Sequence, residues 1–336
     1  MRAGFWRYLS GPYGSGETRG LEPALIEKPL ALGICWHKGA EALLQGKSGS
    51  EAGSIALSEA ESYPSLGEPE RNWLLAASLG WERTKSQDFF GKYDVLAVEQ
   101  EIETAISPNV ILQSRADGIL QSRIDGTIWI LNWKTTSKDL KDFNKQWRFD
   151  IQSWSEALAV EGQLGVPVAG TIYYGIYKGP IWNGQMTSRL IYGYKETLPS
   201  GGVTYTPEYK AGLKRFEVWN EEFPFGSGVS AWINWLPFDF VAKHFTEAPP
   251  QMRNDEIVAK WLRQLVRKEA DIEHILQTGS LEDQEDFFEQ HIGEHCERCP
   301  YVGLCMMRTT PEELIKDGAL RPRVDHHAKV EGGEDV

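Results

Sequence analysis

The hydrophobic period of this chain changes twice between residues 127 and 177, and that change constrains the fold more than any other feature. TIWILNWKT at 127–135 is an apolar run of strand length. Residues 137–162 then set Leu140, Phe143, Trp147, Ile151, Trp154 and Leu158 at steps of three and four, which is one stripe of a helix. VAGTIYYGIY at 168–177 returns to a strand pattern. Two more strand-like runs come earlier, VLAVEQEI at 95–102 and NVILQSRADGIL at 109–120, and Asp125-Gly126 ahead of 127–135 marks a hairpin. Helix, three antiparallel strands, helix and strand in that order predict a mixed β-sheet flanked by helices, an α/β fold.

The N-terminal helices are ALGICWHKGAEALLQG at 31–46 and PERNWLLAASLGWER at 69–83, with a polar connection between them. RLIYGY at 189–194 has a strand pattern, and LPSGGVTYTP ends the sheet. Beyond residue 205 the pattern is mainly helical, including 255–277, and a polar tail over 311–336 is expected to be disordered. One domain over 1–310 is therefore expected, with a core at about 31–195 and a helical, cysteine-containing part at about 205–310. The formal net charge of −13 argues against a protein that coats nucleic acid without specificity, because its field repels phosphate. No run reaches the ~18 apolar residues of a membrane span, and the opening MRAGFWRYLSGPYGSGETRG lacks an apolar leader, so a cytoplasmic, membrane-free location is expected.

One face of the hairpin collects polar groups. With Asp125 and Gly126 as a two-residue loop, Asp117 stands opposite Lys134, and Asn132 is its diagonal neighbour at ~7–8 Å. The same face starts with Ile128 and Ile130, so the polar residues sit at the end of an apolar strand, where a sheet meets a cleft. A carboxylate on one strand with an amide oxygen and a lysine on the next suits phosphodiester hydrolysis. Oxygen ligands hold Mg²⁺ or Mn²⁺, and the lysine steadies the nucleophile or the developing charge. The same three residues also fit a strand tip that merely meets solvent. Glu99 and Glu101 read as the outer face of the first strand.

ADGIL, a DG turn and WILNWKTTS together resemble the PD-(D/E)XK nuclease superfamily, its RecB-like branch in particular, in which a hydrophobic strand ends in (D/E)-x-K-T. GICWHKGAEALL resembles the first motif of that family, a glycine before a helix-borne histidine, here His37. Gln152 in DIQSWSEA falls at its glutamine motif. The resemblance covers about 31–178 and implies a restriction-endonuclease-like core. It implies metal-dependent cleavage of single-stranded DNA or duplex ends, exonucleolytic or end-processing, alongside recombination, replication or CRISPR-adaptation proteins. It further implies a cation held by His37, Asp117, residue 132 and the carbonyl of Trp133, with Lys134 catalytic. Asn132 departs from the pattern, which has Asp or Glu there. Either the chain is a weakened or inactive relative that still binds DNA, or its carboxylate has moved. Glu156 stands four residues after Gln152, where the family carries tyrosine, and shares its helix face, so it is the candidate for that move.

Lys138, Lys141, Lys145 and Arg148 form a second stripe leading to Gln152, either a phosphate track or a solvated face. HCERCPYVGLC sets Cys296, Cys299 and Cys305 at C-x2-C-x5-C spacing, which suits a shared metal. The spacing is similar to the C-terminal iron–sulfur staple of AddB-like exonucleases, which implies a [4Fe-4S] cluster with Cys35 as the available fourth ligand. A Zn²⁺ site using His295, a small buried cysteine cluster and a metal-stapled interaction protein without a nucleic-acid role remain open beside it.

Overall fold

The computed structural model describes residues 21–23, 26–107, 110–137, 142–143, 147, 151–179, 181–182, 187–188, 190, 195–197, 203–205, 229–278, 299, 301, 304 and 309–322. The chain divides into two compact units, residues 27–262 and the two chain ends, 1–26 with 263–336.

The larger unit opens with four helices, α1 Lys28–Leu44, α2 Gly49–Ala60, α3 Glu68–Thr84 and α4 Ser86–Lys92. Periodicity predicts α1 and α3. Helix α2 replaces the expected polar connection, and α4 was likewise not expected. The buried stripe of α2 is Gly49, Ala52, Gly53, Ala56 and Ala60, residues too small to register as an apolar pattern. They let α2 pack tightly: a Cβ added to Gly53 would stand 2.5 Å from Leu75 Cδ1, and one on Gly39 of α1 would stand 3.2 Å from the Ala52 oxygen. The signal that does mark α2 is its capping box, Ser48 with Glu51.

The sheet follows as β1 Tyr93–Ser107, β2 Val110–Ser122 and β3 Ile128–Thr136. Helix α5, Ile151–Leu164, then leads into β4 Val168–Tyr177. Helices α6 Val229–Trp235 and α7 Phe238–Ala242 precede two short strands, β5 Phe245–Glu247 and β6 Gln251–Met252. The sheet order is β5-β4-β3-β2-β1, with β6 also paired to β4. β1, β2 and β3 are antiparallel and β4 runs parallel to β3, so the expected mixed α/β sheet is present. A parallel neighbour needs a long crossover, and α5 lies in it.

The helix expected over 137–162 is confined, among the described residues, to Ile151–Leu164 and the short piece at 142–143. Its apolar stripe is still used: Trp147 stacks on Tyr173 at 4.6 Å, and Phe143 is fully buried over Gly175. Of the strand expected at 189–194, only Leu190 is described, and the remainder lies outside the described residues.

The two faces of β3 hold different environments, as alternation requires. Trp133 packs into an aromatic core with Trp36 at 5.8 Å, Trp81 at 5.7 Å and Tyr174 at 4.8 Å. Ile128 and Ile130 pack with Ala157, Ala159 and Val160 of α5.

In the smaller unit Leu21–Pro23 pairs antiparallel with Leu320–Pro322, and Pro311–Lys316 is a helix started by a Thr310–Glu313 capping box. The tail expected to be disordered from 311 therefore carries regular structure as far as Pro322, and 323–336 lie outside the described residues. The predicted helix at 255–277 is present as Asp255–Thr278. No described helix is long and apolar enough to cross a membrane.

Candidate metal centre

Pairing between β2 and β3 runs from Gln121↔Ile128 to Gly118↔Leu131. The hairpin loop is thus longer than the two residues expected. Asp125 closes it by accepting from the Thr127 amide at 3.2 Å and the Thr127 hydroxyl at 2.7 Å, and Gly126 takes φ 73°. This loop moves the register by two, so the position opposite Asp117 belongs to Asn132 rather than Lys134. An even shift preserves the face, and Asp117, Asn132 and Lys134 stay together. The ladder stops at Gly118, where the Asp117 carboxylate takes over and accepts from the Trp133 backbone N–H at 2.6 Å. Asp117 is therefore fixed at the point where β2 and β3 part.

A second register effect brings in a residue read from the sequence as part of the outer face. β1 carries a bulge between Val95 and Ala97, after which Val98 pairs with Gly118 and Gln100 with Ala116. Glu99 thus falls opposite Asp117, where Val98 would stand without the extra residue. Glu99 has φ 48°, the one non-glycine residue with positive φ among the described residues. Such strain persists where surrounding structure demands it, often at functional sites. Glu101 keeps the exposed position expected of it, 4.0 Å from Arg115.

From α1, His37 places Nδ1 3.0 Å from Asp117 Oδ1 and 3.4 Å from Glu99 Oε1. One ligand atom from each of the three residues lies within 4.8 Å of the others. Arg115 Nε holds the other oxygen of Glu99 at 3.1 Å. Burial works against charge on His37, but hydrogen bonds to Asp117 and Glu99 outweigh it and raise its pKa to about 9. An imidazole with two carboxylates is a donor set for a hard divalent cation, which would take the place of that proton.

Beside this group a chain of hydrogen bonds joins β3 to α5. Lys134 Nζ lies 3.3 Å from Gln152 Oε1, Gln152 Nε2 donates to Glu156 Oε1 at 2.7 Å, and Asn132 Nδ2 donates to Glu156 Oε2 at 2.6 Å. Lys134 also lies 5.8 Å over the Trp147 ring. Glu156 is 2% exposed and Asn132 fully buried, so the glutamate is a buried partner of Asn132. Burial raises the Glu156 pKa to about 7, against the opposing pull of the Asn132 and Gln152 hydrogen bonds. Asn132 Oδ1 is buried without a hydrogen-bond partner. An orphaned oxygen of this kind fits a cation site, since ligation would satisfy it.

The structure thus brings together His37, Asp117, Asn132, Lys134, Gln152 and Glu156, adds Glu99, and puts the Trp133 ring in the core while the Trp133 backbone N–H donates to Asp117. Sequence alternation missed Glu99 because a bulge leaves no mark in the hydrophobic pattern. Lys138, Lys141, Lys145 and Arg148 lie outside the described residues, as do Cys296 and Cys305. Cys299 is half-buried and Cys35 fully buried, both as free thiols. Burial, reinforced by Glu59, pushes the Cys35 thiol up to about 11, which disfavours the thiolate a metal needs. Compared with protein-family profiles, residues 5–306 match the PD-(D/E)XK nuclease superfamily. A search of curated proteins finds no match.

Proposed function

The chain belongs to the PD-(D/E)XK nuclease superfamily, and from that premise we propose that it is a metal-dependent deoxyribonuclease acting at single-stranded DNA or duplex ends. The convergence of His37, Glu99 and Asp117 beside Lys134 carries this reading. His37, Glu99, Asp117 and the free oxygen of Asn132 are the residues that would hold Mg²⁺ or Mn²⁺. When bound, the cation supplies positive charge that polarises the phosphate and acidifies a water. Hydrolysis joins a water oxygen to phosphorus as a P–O ester bond breaks, and the leaving oxygen takes up a proton. In this scheme Lys134 steadies the attacking oxygen or the charge developing on the phosphate. Lys138, Lys141, Lys145 and Arg148 form the track for the strand, a local basic strip that a chain of net charge −13 requires. We assign the chain to the RecB-like branch, with work in recombination, replication or CRISPR adaptation. Cys296, Cys299 and Cys305 hold an iron–sulfur cluster or Zn²⁺ there, with Cys35 as the available fourth ligand.

The test is release of end label from single-stranded and duplex DNA with Mg²⁺ and Mn²⁺ supplied in turn. Lys134→Ala should lower the rate by at least ~100-fold, the scale of a lost group that stabilises developing charge. Undiminished cleavage by that variant would remove Lys134 from the chemistry. The neutral residue at 132 favours a second reading, a relative that binds DNA and cleaves it weakly, which the same assay with a gel shift distinguishes.

A further inference from the structure

We propose that Asn132 and Glu156 are an exchanged pair, in which the carboxylate absent from β3 stands on α5 and holds the strand amide with its oxygen free as a neutral ligand. The pair presupposes the cation-binding reading of the site and specifies how residue 132 serves it.

Three observations carry the exchange. Glu156 spends one oxygen on Asn132 Nδ2 at 2.6 Å and the other on Gln152 Nε2 at 2.7 Å. A carboxylate facing two amide nitrogens acts as acceptor for both, so the amide of Asn132 has one orientation open to it. That orientation leaves Oδ1 buried and without a donor. Buried acceptors are seldom left unpaired, and a cation is a partner that needs no donor proton. The contact joins two elements through residues 24 apart in sequence, so it is a product of the fold rather than of local chain geometry.

The exchange reverses the obvious repair. Asn132→Asp alone would set two buried carboxylates against each other with the donor between them removed. That substitution should weaken the site instead of restoring it. With Glu156→Gln added, the helix amide donates to the strand carboxylate, and the same bond is kept with its direction reversed. Glu156 acts through Asn132 and is a positioning residue.

The experiment is a cycle of wild type, Asn132→Asp, Glu156→Gln and the double variant, all as the full chain. Mn²⁺ affinity is read by calorimetry and the urea midpoint is read in EDTA. Glu156→Gln should weaken Mn²⁺ binding about 10- to 100-fold, as loss of a ligand's supporting partner does. Asn132→Asp should lower the urea midpoint and fail to tighten Mn²⁺ binding. The double variant should recover both quantities, a rescue that independent structural damage at two positions would not give. Tighter Mn²⁺ binding by Asn132→Asp at an unchanged midpoint, or a double variant as impaired as its two singles combined, would overturn the pair. Wild type that binds no Mn²⁺, even with the midpoint rescued, would overturn it through its premise and the cation reading with it.

Discussion

A single extra residue in β1 decides whether Val98 or Glu99 faces Asp117, and the backbone at Glu99 accepts φ 48° to complete the arrangement. The two carboxylates, Glu99 and Asp117, then supply negative charge that Asn132 does not. Glu99→Gln should therefore weaken Mn²⁺ binding at least ~10-fold, more than a surface glutamate would, while the far-ultraviolet spectrum stays unchanged. Calorimetric titration checks this, and an unaltered affinity would show that Glu99 takes no part in holding the cation. The contrast with Asp117, Asn132 and Lys134 is instructive. Their common face was readable in the sequence even from the wrong loop length, because the error was two residues and side chains alternate with period two. A one-residue bulge is an odd shift, so it put Glu99 rather than Val98 opposite Asp117 and left no trace in composition. Glu156 was readable as a candidate by its i+4 relation to Gln152, but its burial against Asn132 depends on tertiary packing.

At the scale of elements, helices with large apolar stripes and strands with apolar runs were readable, as α1, α3 and β4 show. Helix α2 was not, since close packing by glycine and alanine uses the absence of side chains as its signal. α7 leads into a different buried polar feature, His244. It is fully buried, its Nδ1 lies 3.0 Å from the Tyr177 carbonyl, and its Nε2 has no partner. Burial lowers its pKa to about 4, only partly offset by the Tyr177 hydrogen bond. Above pH ~6.5 the ring is neutral in folded and unfolded chains, and full stability is present. As pH falls towards 4 the unfolded chain takes the proton first, so His244 withdraws up to about 3 kcal/mol, and the loss levels off below the folded pKa. Urea unfolding near pH 7 and near pH 4 should show this slope in wild type, and His244→Leu should lack that part of it. An identical pH dependence for the two proteins would show that His244 is not held neutral.

Over the whole molecule the site gathers residues from α1, β1, β2, β3 and α5 at one end of a mixed sheet, and every one of these belongs to the unit spanning 27–262. The alternation of period along the sequence anticipates a mixed sheet, but not its order, since β5 and β6 come from a stretch that reads as mainly helical. Nor does it anticipate the regular structure at 311–322, because a short helix set by a capping box and a three-residue strand carry too little apolar pattern to be seen. Membership in the superfamily makes a nuclease the expectation, and the convergence of His37, Glu99 and Asp117 marks the candidate metal site of this chain. The most direct measurement is the release of end label from linear DNA in Mn²⁺, run side by side for wild type and Asp117→Ala. The predicted result is release by wild type, abolition by EDTA, and a loss of at least ~100-fold in the variant, at or beyond the cost of losing an outer partner of a metal ligand. Equal release by the two proteins, or release that survives EDTA, would contradict a metal-dependent site at Asp117.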